Sequence, residues 1–135
     1  MRKFCLVPAL FVSCQLMADV AVVVHPANTT AMETSEIAKL YLGRSKSFAD
    51  GTAAIPLALS ESSAATPIFN EKILNKTGSQ MKAYWSKLVF TGKGTPPQEL
   101  LTDKEVIDLV SQNPNMIGYI EKESVTAAVK VVATF

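Results

Sequence analysis

The run Val20-Ala21-Val22-Val23-Val24 constrains this chain more than any other stretch. It is wholly apolar, mostly β-branched, too short for a helix and stopped by His25-Pro26, so it reads as a strand buried on both faces. Such a strand needs covering layers on either side. The polar loop Ala27–Thr30 leads into the first of them. Thr34 is placed to cap a helix whose Ile37, Leu40 and Tyr41 share one face, with Glu36 in its first turn and Gly43 beyond its end. Strand followed by helix is the opening of an α/β fold.

The remaining pattern continues in kind. Arg44–Gly51 is polar and ends in the turn signal Asp50-Gly51, after which Ala53–Leu59 reads as a second strand. Ile68, Phe69, Ile73 and Leu74 recur at helical spacing until Asn75–Gly78 interrupts them. From Ser79 to Phe90, Met81, Tyr84, Trp85, Leu88 and Val89 form one apolar helical stripe, which assigns Trp85 to the core in preference to a stacking platform. After the Gly/Pro loop Thr91–Pro97, Thr102 and Glu105 are spaced as a capping box. The helix they start buries Val106, Ile107, Leu109 and Val110 and ends at Asn113-Pro114. Met116–Ile120 reads as a strand, Lys122–Ala127 as a short helix and Val129–Ala133 as a last strand. The sum is a small, mostly parallel sheet flanked by helices.

Residues 1–18 have the layout of a secretory signal: Arg2 and Lys3, an apolar run Phe4–Val12, and Ala18 before the cut. The run is shorter than the roughly 20 residues a bilayer span requires, and no later segment is long enough either, so the mature chain is expected to lack an integral membrane segment. Phe11 stands where a lipobox normally carries leucine, which argues against lipidation at Cys14. Residues 19–135 are then expected to form one secreted domain of ordinary size. Both cysteines, Cys5 and Cys14, fall in the signal, which removes disulfides, thiol nucleophiles and thiolate metal sites from the domain. Of 13 basic residues, losing Arg2 and Lys3 leaves 11 against 12 acidic ones, a balance that points away from nucleic acid and from polybasic membrane binding.

Chemistry is sparse. His25 is the single histidine, with no cysteine or histidine partner for a metal, so neither a triad nor a metal site is expected and the chain reads as noncatalytic and cofactor-free. Two stretches can hold an anion. In Gly92-Lys93-Gly94-Thr95, glycines allow close backbone approach and Lys93 supplies charge, although such a loop also simply ends helices. In "SESSAATPIF" (60–69), Ser62 and Ser63 precede a helix start. There the free N–H groups of Ala64, Ala65 and Thr66, with the helix dipole, stabilise an oxyanion without a basic side chain. The plainer reading is a serine capping its own helix. Pro67 favours Thr66 as the cap, since proline suits the first helical position; with Ser63 as cap, Pro67 distorts the first turn.

The blocks "KLYLGRSKSFADGTAAIPLALSESSAATPIFNEKIL", "YWSKLVFTGKG" and "NPNMIGYIEKESV", in that order, resemble the phosphate-binding proteins of bacterial ABC transporters, and most of all their short, single-lobe members. The resemblance runs from about Val20 to Val132. It implies a single lobe of the type II periplasmic binding-protein architecture, phosphate or a related small oxyanion as ligand, and an ABC transporter membrane component or a second protomer as partner. The implied site comprises Ser62, Ser63 and the backbone N–H groups of Ala64 and Ala65, with Thr66, Lys93, Gly94 and Thr95 as secondary contacts. The chain also departs from the family. In full-length members the segment reads Arg-Ser-x-Gly-Ser-Gly-Thr, which puts Leu59 at the arginine, Ser63 at the second serine, and Ala64 and Ala65 at the Gly-Thr. Many short relatives carry an arginine one turn into the helix, where this chain has Thr66. A bidentate guanidinium contributes about 1.5 to 3 kcal/mol per charge-assisted bond, so its absence costs affinity. The same absence favours a rival reading, an envelope protein-interaction module that keeps the lobe and has lost the ligand.

Overall fold

The structure, a computed structural model, describes residues 19–135; the signal sequence expected over residues 1–18, with both cysteines, lies outside them. Val20–Val24 forms β1, and all five of its residues are completely buried. The other strands are β2 (Ile55–Leu59), β3 (Gln98–Leu100), β4 (Met116–Glu121) and β5 (Lys130–Thr134), arranged in the order β3-β2-β4-β1-β5. The helices are α1 (Thr34–Tyr41), α2 (Ala65–Phe69), α3 (Gly78–Phe90) and α4 (Asp103–Gln112). A π-helical turn, Asn70–Leu74, prolongs α2 and ends at Asn75 in the left-handed conformation.

The fold is α/β as the residues implied, but the sheet is mixed rather than mostly parallel. β2 runs parallel to β3 and β4, whereas β1 is antiparallel to both β4 and β5. A run buried on both faces indicates a central strand and carries no information on the direction of its neighbours. The 122–127 helix shrinks to a 3₁₀ turn, Lys122–Ser124. β3 has no counterpart in the sequence reading; at three residues it carries too little periodicity to stand out. The polar 44–51 segment conceals Phe48, which is buried.

Two glycine and capping details fix how the layers meet. Gly118 on β4 is overlain so closely by α4 that a β-carbon there would collide with Val106. Thr102 caps α4, accepting from the Glu105 amide at 3.2 Å. His25 closes β1 by accepting from the Ala27 amide through Nδ1 at 3.0 Å, a structural task.

Candidate functional site

Pairing between β2 and β4 is confined to Ile55–Met116 and Pro56–Ile117. Beyond Pro56, two tyrosine hydroxyls take over the main-chain groups of the ladder. Tyr41 donates to the carbonyls of Leu57 (2.8 Å) and Ile117 (3.3 Å). Tyr119 accepts from the Leu59 amide at 3.1 Å and lies 3.3 Å from its carbonyl. Phe69 of α2 stacks on Tyr119, ring centroids 4.0 Å apart and 9° from parallel, and meets Tyr41 edge-on at 4.6 Å. Burial pushes both phenols above the ordinary tyrosine range. For Tyr41 the neighbouring Tyr119 adds to the effect, and for Tyr119 the bond with Thr66 opposes it. At the carboxyl ends of parallel strands, this parting is where open α/β sheets place ligand crevices.

A cavity of about 190 Å³ opens there, floored by Tyr41, Phe69 and Tyr119 and walled by Met81 and Trp85 of α3. Its mouth carries Glu61, Lys82 and Glu99, with Lys82 paired to Glu61 at 3.2 Å across exposed surface. The serine loop follows β2 directly. Ser60 and Ser62 share a hydroxyl hydrogen bond of 2.6 Å. The Ser63 amide donates to the Ser60 carbonyl at 3.0 Å, the Ala65 amide to Ser63 Oγ at 3.3 Å and the Thr66 amide to the Ser63 carbonyl at 3.3 Å. Thr66 is buried, and its hydroxyl donates inward to the carbonyls of Ser60 (2.7 Å) and Leu59 (3.1 Å). Among the described residues, the amides of Ser62 and Ala64 have no acceptor.

The helix begins at Ala65 with Ala64 as the flanking residue, so neither Thr66 nor Ser63 holds the N-cap position. Pro67 falls in the first turn, where its missing N–H removes only a donor that lacks a helical partner anyway. Ser62 and Ala64 are exposed and Ser63 half-exposed, on the rim of the crevice rather than within its lining. The Lys93 loop lies elsewhere. Lys93, Gly94 and Thr95 line a separate groove with Lys46, on the other side of Trp85, so the two predicted halves of the site do not share a cavity.

Trp85 is the divider. Its ring wedges between Gly43 and Gly94, where a β-carbon would stand 3.1 Å and 3.3 Å from the indole, respectively. It is half-buried, and no residue of α3 is fully buried, so the apolar stripe walls two cavities instead of filling a core. The site residues missed by the sequence reading are Tyr41, Phe69 and Tyr119. They looked like ordinary core, and nothing in spacing marks a tyrosine whose hydroxyl replaces a strand partner. Among the described residues, no cluster of His, Cys, Asp or Glu could hold a metal, and no helix is long and apolar enough to cross a membrane.

Solved structures with this architecture include a protein from Clostridium perfringens, described as a phosphate ABC transporter substrate-binding protein with bound phosphate. The two superpose with a TM-score of 0.67 at 19% identity, over 85% of this chain and 45% of that one. An ABC-type phosphate transport receptor from Vibrio cholerae gives 0.67 at 17% identity, over 85% and 46%. PstS from Borrelia burgdorferi gives 0.61 at 18%, over 86% and 47%. The chain has the fold of one lobe of these proteins. It spans less than half the length of each. The first two are described as a binding protein and a receptor, not as enzymes. No family model matches the sequence, and no curated protein does.

Proposed function

We propose that the chain is an exported, noncatalytic solute-binding lobe of the periplasm, serving ABC-type phosphate transport, with phosphate or a related small oxyanion as its ligand. The observation that carries this reading is the pair of acceptor-free amides, Ser62 and Ala64, beside the Ser60–Ser62 hydroxyl pair. They sit at the crevice of a fold that in the Clostridium perfringens protein accompanies bound phosphate. Ser62, Ser63 and the main chain of Ala64 hold the oxygens. Ala65 and Thr66 contribute to the shape of the loop, because their donors are engaged within the chain. One open lobe leaves much of the anion in water, where charged contacts are worth about 0 to 1 kcal/mol, so tight capture calls for a second surface, from another protomer or a transporter component.

Calorimetry of residues 19–135 with phosphate and sulfate tests the reading. Weak, saturable binding that falls with Ser62→Ala is the expected result; no heat at millimolar ligand overturns it. The engaged amides of Ser63, Ala65 and Thr66, with Glu61 and Glu99 at the crevice mouth, favour the second reading, an interaction module on the same fold. Under that reading Ser63→Ala costs only the loss of its bond to Ala65, about 0.5 to 1.5 kcal/mol, and changes no anion affinity.

A further inference from the structure

The groove beyond Trp85 differs from the crevice in size, charge and wall chemistry. It holds about 680 Å³, within the few hundred to 1,000 Å³ range usual for pockets that enclose drug-sized ligands and far more than a bare phosphate fills. Two ammonium groups, Lys46 and Lys93, reach it, and no carboxylate is among its lining residues. Neither lysine forms an ion pair among the described residues. The amides of Gly94 and Thr95 have no acceptor among the described residues either, so the turn that follows the left-handed Gly92 offers two donors beside the Lys93 charge. Apart from Ser45, the rest of the wall is mostly apolar, with Leu40, Ala54, Pro56, Trp85 and Val89.

Two unneutralised cations beside an apolar wall suit a ligand that is itself divided. An anion without an apolar part leaves the wall wet, and an apolar molecule without charge leaves the lysines and amides unanswered. We propose that this groove is a second binding site, independent of the serine loop, for a small organic phosphate ester. Its oxygens lie between Lys46, Lys93 and the Gly94 and Thr95 amides, and its apolar group lies against Trp85. The indole of Trp85 lies in close contact with Gly43 and Gly94, which sets the position of that wall.

Trp85 is the only tryptophan of the chain; because it walls both the groove and the crevice, its fluorescence reports binding in either, and the lysine and Ser62 variants assign the signal to one of them. Residues 19–135 are titrated with phenyl phosphate, with phenol and inorganic phosphate in parallel. The expected result is a saturable change with phenyl phosphate, weaker with either fragment. Lys46→Ala and Lys93→Ala, both at exposed positions and checked for unchanged melting, each reduce the affinity about threefold, equivalent to about 0.65 kcal/mol, while Ser62→Ala leaves it unaltered. No saturable change, an equal response to phenol, or indifference to both lysine variants overturns the proposal. Loss of phenyl phosphate binding with Ser62→Ala also overturns it, by merging the two sites, and leaves the solute-binding reading standing. Failure of inorganic phosphate in calorimetry removes that reading alone.

Discussion

Thr66 illustrates how one hydroxyl can serve the fold instead of a ligand. Its Oγ1 donates to the Ser60 and Leu59 carbonyls and stands 3.4 Å from the Tyr119 hydroxyl, all in buried surroundings. Thr66→Val keeps the shape and removes the donor, leaving the Ser60 carbonyl with the Ser63 amide and the Leu59 carbonyl with the Tyr119 hydroxyl. The expected loss is about 0.5 to 1.5 kcal/mol in urea unfolding, with anion affinity unchanged. Gly118→Ala, which drives a methyl into Val106, is expected to cost about 1 to 3 kcal/mol by overpacking. Tyr41 and Tyr119 set an alkaline limit. Both titrate above the ordinary value of about 10 in the folded protein. Between that value and their folded ones the native state therefore binds more protons than the unfolded state, and stability falls as pH rises. Their contribution is fully present below pH 10 and is lost above it. Urea midpoints measured at pH 9 and 11 are expected to drop, with a shallower drop in Tyr41→Phe. Such roles were out of reach of the sequence, because they depend on which carbonyl a side chain meets in the fold, 60 positions away for Tyr119 and Leu59 and 76 for Tyr41 and Ile117.

At the scale of elements, β1 was legible because five apolar residues between polar borders admit little else, and α4 because Thr102, the apolar spacing and Asn113-Pro114 agree. α3 was legible as a helix but not as a wall. Its stripe and its Thr77–Gln80 cap form the helix, yet periodicity says which face turns inward and nothing about how closely that face is packed. What holds α3 to the body is limited. Tyr84 donates to the Leu42 carbonyl at 2.6 Å, Lys76 sits 5.5 Å from the Tyr84 ring centre, and the exposed Lys82–Glu61 pair adds little. Hydrogen exchange is therefore expected to be faster in α3 than in β1 and β4, since α3 contributes no fully buried side chain of its own. Protection of α3 equal to that of the sheet would contradict this view. Tyr84→Phe is expected to widen the gap, with a cost of about 0.5 to 1.5 kcal/mol.

Across the whole molecule, the α/β architecture followed from the alternation of short apolar runs with helical stripes, whereas strand direction did not, because it is set by how each connection returns to the sheet. The two loops proposed to hold an anion illustrate the same divide: each stood out by composition, but only the three-dimensional arrangement put Trp85 between them. The antiparallel pairing of β1 with β5 has a further effect. Val20 and Phe135 exchange main-chain hydrogen bonds, each 2.8 Å, so residues 20 and 135 are stitched side by side at one sheet position. A short Gly/Ser bridge from 135 to 20, with new ends opened in the exposed 49–52 turn, is thus expected to yield a circular permutant that regains the same sheet. The lobe can equally be spliced into a loop of a host protein, entering and leaving through a single doorway.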